Sequence, residues 1–228
     1  YTSNSWRAVK VTYANEIGNI AKACGLDGQH VMEILTSDTK AIISKFFMRP
    51  GFAFGGSCLP KDVRALRHLA NEKGVPAHMM NAVLEANEAQ IAKAVSMIES
   101  AGAKEVGFVG VAFKSGTDDL RESPLATLAG RLINNGINVK IYDPYVKEAF
   151  DEEQPGAGRG NEVIPNLADR IVGDLTSMIT ASDAIVVGNV YDETVVELSE
   201  AAKSKPVVDL TRFNKELVSD GTYEGICW

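Results

Sequence analysis

Apolar residues recur at spacings of three and four through the first hundred positions, then change to short continuous runs. Trp6, Val9, Tyr13, Ile17, Ile20 and Cys24 keep the helical interval. They predict an amphipathic helix ended by Gly25, with this stripe, Cys24 included, turned toward the core. Asp27 opens a second helix through Thr36. Pro60 stands where the first turn of a helix tolerates it, and that pattern runs to Lys73, before Gly74. Pro76 precedes a longer helix reaching Ser100, with Met80, Val83, Leu84, Ile91, Val95 and Ile98 along one face. Its roughly 24 residues would span about 36 Å. That is more than a small domain needs, and it predicts pairing with a second copy of the chain.

From Ala101 the pattern alternates strand and helix. Val106–Val111, Val139–Tyr142, Ala184–Val187 and Val207–Leu210 are buried-type strands, and Leu125–Leu132 is a helix closed by Asn135-Gly136. Gln154–Gly160 reads as a surface loop. Alternation of this kind builds a parallel sheet with helices on its faces. The fold class expected is therefore α/β: an all-helical dimerisation domain over residues 1–100, then a Rossmann-like three-layer α/β domain over 101–228. After the first strand stands Gly107-Phe108-Val109-Gly110-Val111-Ala112, which is not GxGxxG. NAD bound there in the usual way is not expected.

Charge divides near the same point. Residues 1–100 carry 11 basic and 9 acidic side chains, residues 101–228 carry 12 and 21, and the chain totals −7. The acidity argues against nucleic-acid binding, and no apolar run approaches the roughly 20 residues that span a bilayer. Three cysteines, Cys24, Cys58 and Cys227, make no disulfide framework or zinc motif, so a reducing, cytoplasmic setting without a metal is expected. Tyr1 already lies inside a helical pattern, as in a piece of a longer protein.

Candidate chemistry concentrates in Arg49-Pro50-Gly51-Phe52-Ala53-Phe54-Gly55-Gly56-Ser57-Cys58-Leu59-Pro60-Lys61-Asp62. Cys58 lies just before a helix start, where orphan N–H groups favour an anion, and Lys61 is one turn away. Gly55-Gly56 lets a substrate approach the backbone, and Asp62 is placed to orient a water or accept a proton. Asn4, Arg7 and Asn15 line up along one helix face over about 16 Å, the length scale of a nucleotide sugar. Lys114 and Arg121 lie in the polar loop after the first strand, where ligands meet open α/β sheets. His30, His68 and His78 form no metal or triad pattern and are expected at the surface.

Together the segments YTSNSWRAVKVTYANEIGNI, FAFGGSCLPKDVRAL and AFKSGTDDLRESP strongly resemble the UDP-glucose/GDP-mannose dehydrogenase family, over the whole chain, as its central and C-terminal domains. The resemblance implies oxidation of a sugar C6 alcohol to a carboxylate with two NAD per sugar. The cofactor would be bound mainly by an N-terminal domain outside this chain, and a catalytic lysine would stand just before Tyr1. It also implies a homodimer, with Cys58 as nucleophile, Asn4 holding an oxyanion or water, and Asp62 activating water. Arg7, Asn15, Phe46, Phe47, Arg49, Phe52, Gly55, Lys114 and Asn4 would contact the nucleotide sugar, and Lys61 and Arg121 the cofactor. The MRPGF form of the loop is most like members acting on GDP-mannose, with UDP-glucose or a UDP-N-acetylhexosamine as the alternative. A second alternative, of another class, is a dimeric nucleotide-sugar binding module that is not catalytic by itself.

Overall fold

The computed structural model describes residues 1–37, 49–72, 78–152 and 160–228. The expectations for Phe46, Phe47 and Pro76, and for residues 154–159, fall outside the described residues. Contacts divide the chain into two units, Tyr1–Ala92 with Ile226–Trp228, and Lys93–Gly225. The expected boundary at residue 100 is eight residues further on. Helical periodicity runs unbroken through Ala92, so the pattern alone carries no mark of the division.

The first unit holds α1 (Thr2–Ala23), α2 (Gly28–Thr36), α3 (Leu59–Glu72) and most of α4 (His78–Ser100). The Asp27 side chain accepts from the N–H groups of Gln29 and His30, which starts α2 at the predicted place. Pro60 sits at the second position of α3, where its missing N–H leaves no helical bond unmade. A core cluster joins Ala8, Phe54, Val63 and Val83, so the loop residue Phe54 is packed among three helices.

One expectation about α1 is overturned. Its period is helical, but the buried face is Ser5, Ala8, Thr12, Asn15 and Ala21, while Trp6 is 52% and Tyr13 48% exposed. The side chains of Ile17 and Ile20 lie outside the described residues. Small residues let neighbouring backbone approach this helix closely, and the large apolar ones are left outward. Cys24 is likewise exposed, because α1 ends at Ala23 and the chain turns away through Gly25.

The second unit holds a parallel sheet in the order β3-β2-β1-β4-β5-β6. The strands are β1 (Glu105–Val109), β2 (Asn138–Tyr142), β3 (Ile171–Val172), β4 (Ala184–Val187), β5 (Val207–Asp209) and β6 (Tyr223–Gly225). This is the doubly wound order, with its reversal between β1 and β4. Helices α5 (Pro124–Asn134), α6 (Pro144–Asp151), α7 (Leu167–Arg170), α8 (Leu175–Ala181) and α9 (Val195–Ala201) connect the strands. Among the described residues no helix is long and apolar enough to cross a membrane.

Candidate active site

Cys58 caps the start of α3. Its carbonyl accepts the Asp62 N–H at 2.9 Å, its side chain is exposed, and its sulfur lies 3.9 Å from the Ser57 hydroxyl. Gly56, at φ 82°, makes the turn that delivers Ser57 and Cys58 to the helix, a conformation that suits glycine. One turn into α3, Asp62 is buried and faces α1.

There Asn4 Nδ2 donates to Asp62 Oδ2 at 2.5 Å, and Arg7 Nη1 donates to Asn4 Oδ1 at 3.0 Å. Lys61 Nζ stands 3.3 Å from Asp62 Oδ1. The Asn4 hydrogen bond is the main influence holding the Asp62 carboxyl below the usual carboxylate range. Burial pushes the other way, and Lys61 adds to the lowering. Oδ1 is buried, and its neighbour of opposite charge is Lys61. An ionised carboxylate anchored by Asn4 on one oxygen and faced by the Lys61 ammonium on the other is an acceptor of fixed direction, the kind of group that can orient a water molecule.

The trio expected on one face of α1 is divided. Asn4 and Arg7 join Asp62, whereas Asn15 turns inward. It accepts the Gly51 N–H at 2.9 Å and donates to the Phe52 carbonyl at 3.3 Å. Gln29 Nε2 donates to the Pro50 carbonyl, Gln90 Nε2 to the Gly51 carbonyl, and Asn87 makes bonds to both polar groups of Phe54. Asn87 and Gln90 escape a pattern search because only the apolar face of α4 has a period. Phe52 and Gly55 are partly exposed and Arg49 is exposed at the mouth of this loop.

In the second unit, Lys114 is exposed in the loop after β1. Arg121 is exposed and grips Asp119 through two bonds, Nε to Oδ1 at 2.9 Å and Nη2 to Oδ2 at 2.6 Å. The loop's inner end is fixed by Asp143, a residue the sequence marks only as the end of a strand. Its Oδ2 accepts from the N–H groups of Val111 at 2.9 Å and Ala112 at 3.2 Å, and its Oδ1 from Val146. These are the amides that a dinucleotide fold offers to a pyrophosphate. Gly110 has φ 76°, and an added Cβ would lie 2.3 Å from the Asn189 Cβ, so this glycine makes room for Asn189. The residues after β1 therefore do not fit NAD. His30, His68 and His78 are exposed, and the described residues contain no cluster able to hold a metal ion.

Residues 1–89 match the model of the UDP-glucose/GDP-mannose dehydrogenase family, central domain, and residues 107–216 that of the same family's UDP binding domain. The whole chain aligns with the GDP-mannose 6-dehydrogenase of Pseudomonas aeruginosa at 45% identity, covering 52% of that protein. Among solved structures, a ternary complex of GDP-mannose dehydrogenase from the same organism superposes with a TM-score of 0.76 at 43% identity, over 100% of this chain and 52% of that one. A UDP-glucose dehydrogenase from Pyrobaculum islandicum superposes with a TM-score of 0.82 at 29% identity, over 100% of this chain and 50% of that one. The chain thus spans about half the length of the relatives it matches.

Proposed function

The chain belongs to the UDP-glucose/GDP-mannose dehydrogenase family, and on that premise we propose that it is the nucleophile-bearing and sugar-binding part of a GDP-mannose 6-dehydrogenase. The reaction is oxidation of GDP-mannose to GDP-mannuronate, a precursor for an acidic exopolysaccharide such as alginate. One observation carries this: Cys58 is exposed at the start of a helix whose next turn presents Asp62, tied to Asn4 at 2.5 Å.

The C6 alcohol first loses a proton and a hydride to become an aldehyde. Cys58 Sγ adds to the aldehyde carbon, whose oxygen takes up a proton, giving a thiohemiacetal. Loss of a proton and a second hydride leaves a thioester. Water oriented by Asp62 attacks it, the C–S bond breaks, and the thiol and the carboxylate product separate. Asn4 donates to Asp62 in this arrangement and holds the carboxylate in place; it is also suited to an oxyanion. Phe46, Phe47, Arg49, Phe52, Gly55, Arg7 and Asn15 serve the nucleotide-sugar side, and Lys114 the sugar.

The chemistry NAD supplies when bound is acceptance of the two hydrides. Because the loop after β1 commits its amides to Asp143, we assign the cofactor mainly to a domain outside this chain, with Lys61 and Arg121 reaching its outer side. The protein is a homodimer in a cytoplasmic setting. The outward Trp6 and Tyr13 on α1 support a partner surface there.

In the whole protein, Cys58→Ser should abolish formation of the acid, since an alkoxide is far harder to form than a thiolate. Retained acid formation overturns the reading. Calorimetry with GDP-mannose and UDP-glucose separates the substrate from its UDP-sugar alternatives. The second reading, a nucleotide-sugar binding module, is favoured for the chain in isolation by those committed amides. It requires nucleotide binding with no NADH produced at 340 nm, and turnover by the purified chain overturns it.

A further inference from the structure

We propose that Asn87 and Gln90, one turn apart on α4, are positioning residues that set the backbone from which Cys58 is presented. The inference rests on the reading of Cys58 as the nucleophile. Asn87 is partly buried and meets both polar groups of one residue: the Phe54 N–H donates to its Oδ1 at 2.8 Å, and its Nδ2 donates to the Phe54 carbonyl at 3.0 Å. A side-chain amide here takes the place of a neighbouring strand. Only one orientation of the carboxamide satisfies both bonds, so the Phe54 peptide has a fixed direction.

Gln90 is 3% exposed and wholly committed. Its Nε2 donates to the Gly51 carbonyl at 2.5 Å and lies 3.4 Å from the Cys227 sulfur, and its Oε1 accepts from Asn19 at 3.1 Å. The loop is thus held at Gly51 and at Phe54 by one helix, and Phe54 is also packed in the core. Only Gly55, Gly56 and Ser57 separate that anchor from Cys58, and on the other side the Cys58 carbonyl is held by α3. With both ends of a three-residue span fixed, the sulfur has little latitude.

Neither amide touches the site itself. They act through the loop, because a loop packed among helices has backbone groups that water cannot reach, and each must find a partner. Carboxamides meet that need without charge. Asn87→Asp keeps the acceptor for the Phe54 N–H and loses the donor to its carbonyl; Asn87→Ala loses both.

The test uses the whole protein and four variants: Asn87→Asp, Asn87→Ala, Gln90→Glu and Cys58→Ser. Turnover, KM, melting temperature and the alkylation rate of each cysteine are measured. For Asn87→Ala we expect kcat to fall about tenfold to a hundredfold with KM within about threefold, as for a misplaced reacting atom. The Cys58 alkylation rate should change with it while the Cys24 rate stays constant. Asn87→Asp should lie between wild type and Asn87→Ala, and it decides the matter should Asn87→Ala not fold. Wild-type turnover and Cys58 alkylation in a folded Asn87 variant overturn the proposal. So does loss of turnover with Cys227 newly labelled, which signals general loosening. Acid formation by Cys58→Ser would instead overturn the nucleophile reading, while the alkylation rates still report on the loop.

Discussion

Asn4 Nδ2 and Asp62 Oδ2 meet at 2.5 Å across 58 positions of sequence. That bond does more than join α1 to α3, because it is the main influence that lowers the Asp62 carboxyl below its ordinary value, against the opposing effect of burial. A carboxyl lowered on folding makes the unfolded chain bind more protons than the native one at acid pH, so stability rises with pH there. The contribution is complete above the unfolded value of about 4 and is lost as pH falls through the lower folded value. Urea midpoints measured between pH 2 and 7 should show this acid loss in the wild type. They should show less of it in Asp62→Asn, and identical curves would refute the assignment.

The three cysteines should separate by accessibility. Cys24 and Cys58 are exposed and Cys227 is buried, so iodoacetamide should label the first two in the native protein and the third only in denaturant. In the whole protein, saturating nucleotide sugar should slow labelling of Cys58 and leave Cys24 unaffected. Peptide mass spectrometry reads both. Labelling of Cys227 under native conditions would contradict the packing described.

Asp143→Ala removes the acceptor for the N–H groups of Val111, Ala112 and Val146 at once. Each orphaned buried donor costs about 1–3 kcal/mol, not additively, so a loss on the order of 3 kcal/mol is expected. Asp143→Asn, which keeps one acceptor oxygen, should lose less. Equal denaturant midpoints for Asp143→Ala and wild type would refute the bridging role.

Gly110→Ala should also destabilise. Its φ of 76° disfavours a side chain, and the new Cβ would stand 2.3 Å from the Asn189 Cβ. Left-handed strain of about 1–2 kcal/mol and overpacking of about 1–3 kcal/mol both apply. Thermal melting checks it, and an unchanged midpoint would mean Asn189 has room to move.

Much of this architecture can be read before any coordinates. Asp27, Pro60 and Asn135-Gly136 mark helix ends by local chemistry, and the short apolar runs become central strands. The edge strands Ile171–Val172 and Tyr223–Gly225 escape notice because two or three residues are too few to show a period. The buried face of α1 is misjudged because size ranks Trp6 and Tyr13 above Ala8 and Ser5, whereas close helix approach selects small residues. At the site, Cys58 and Asp62 stand out through their place at a helix start. The Asn4–Asp62 bond and the amides at Asn87 and Gln90 are tertiary pairings between distant segments, and no local pattern encodes them.

The return of Ile226–Trp228 to the first unit bears on how the protein is made. Cys227 contacts Asn19 and Gln90, partners 208 and 137 positions earlier in the chain. A ribosome adding roughly 5–20 residues per second needs on the order of 10 s to travel from Ala92 to Ile226. Throughout that interval Asn19 and Gln90 are without the Cys227 sulfur they meet in the native structure. The contacts around the Cys58 loop are therefore completed only once Cys227 has been made, and a chain interrupted before that point would carry the nucleophile without this part of its support.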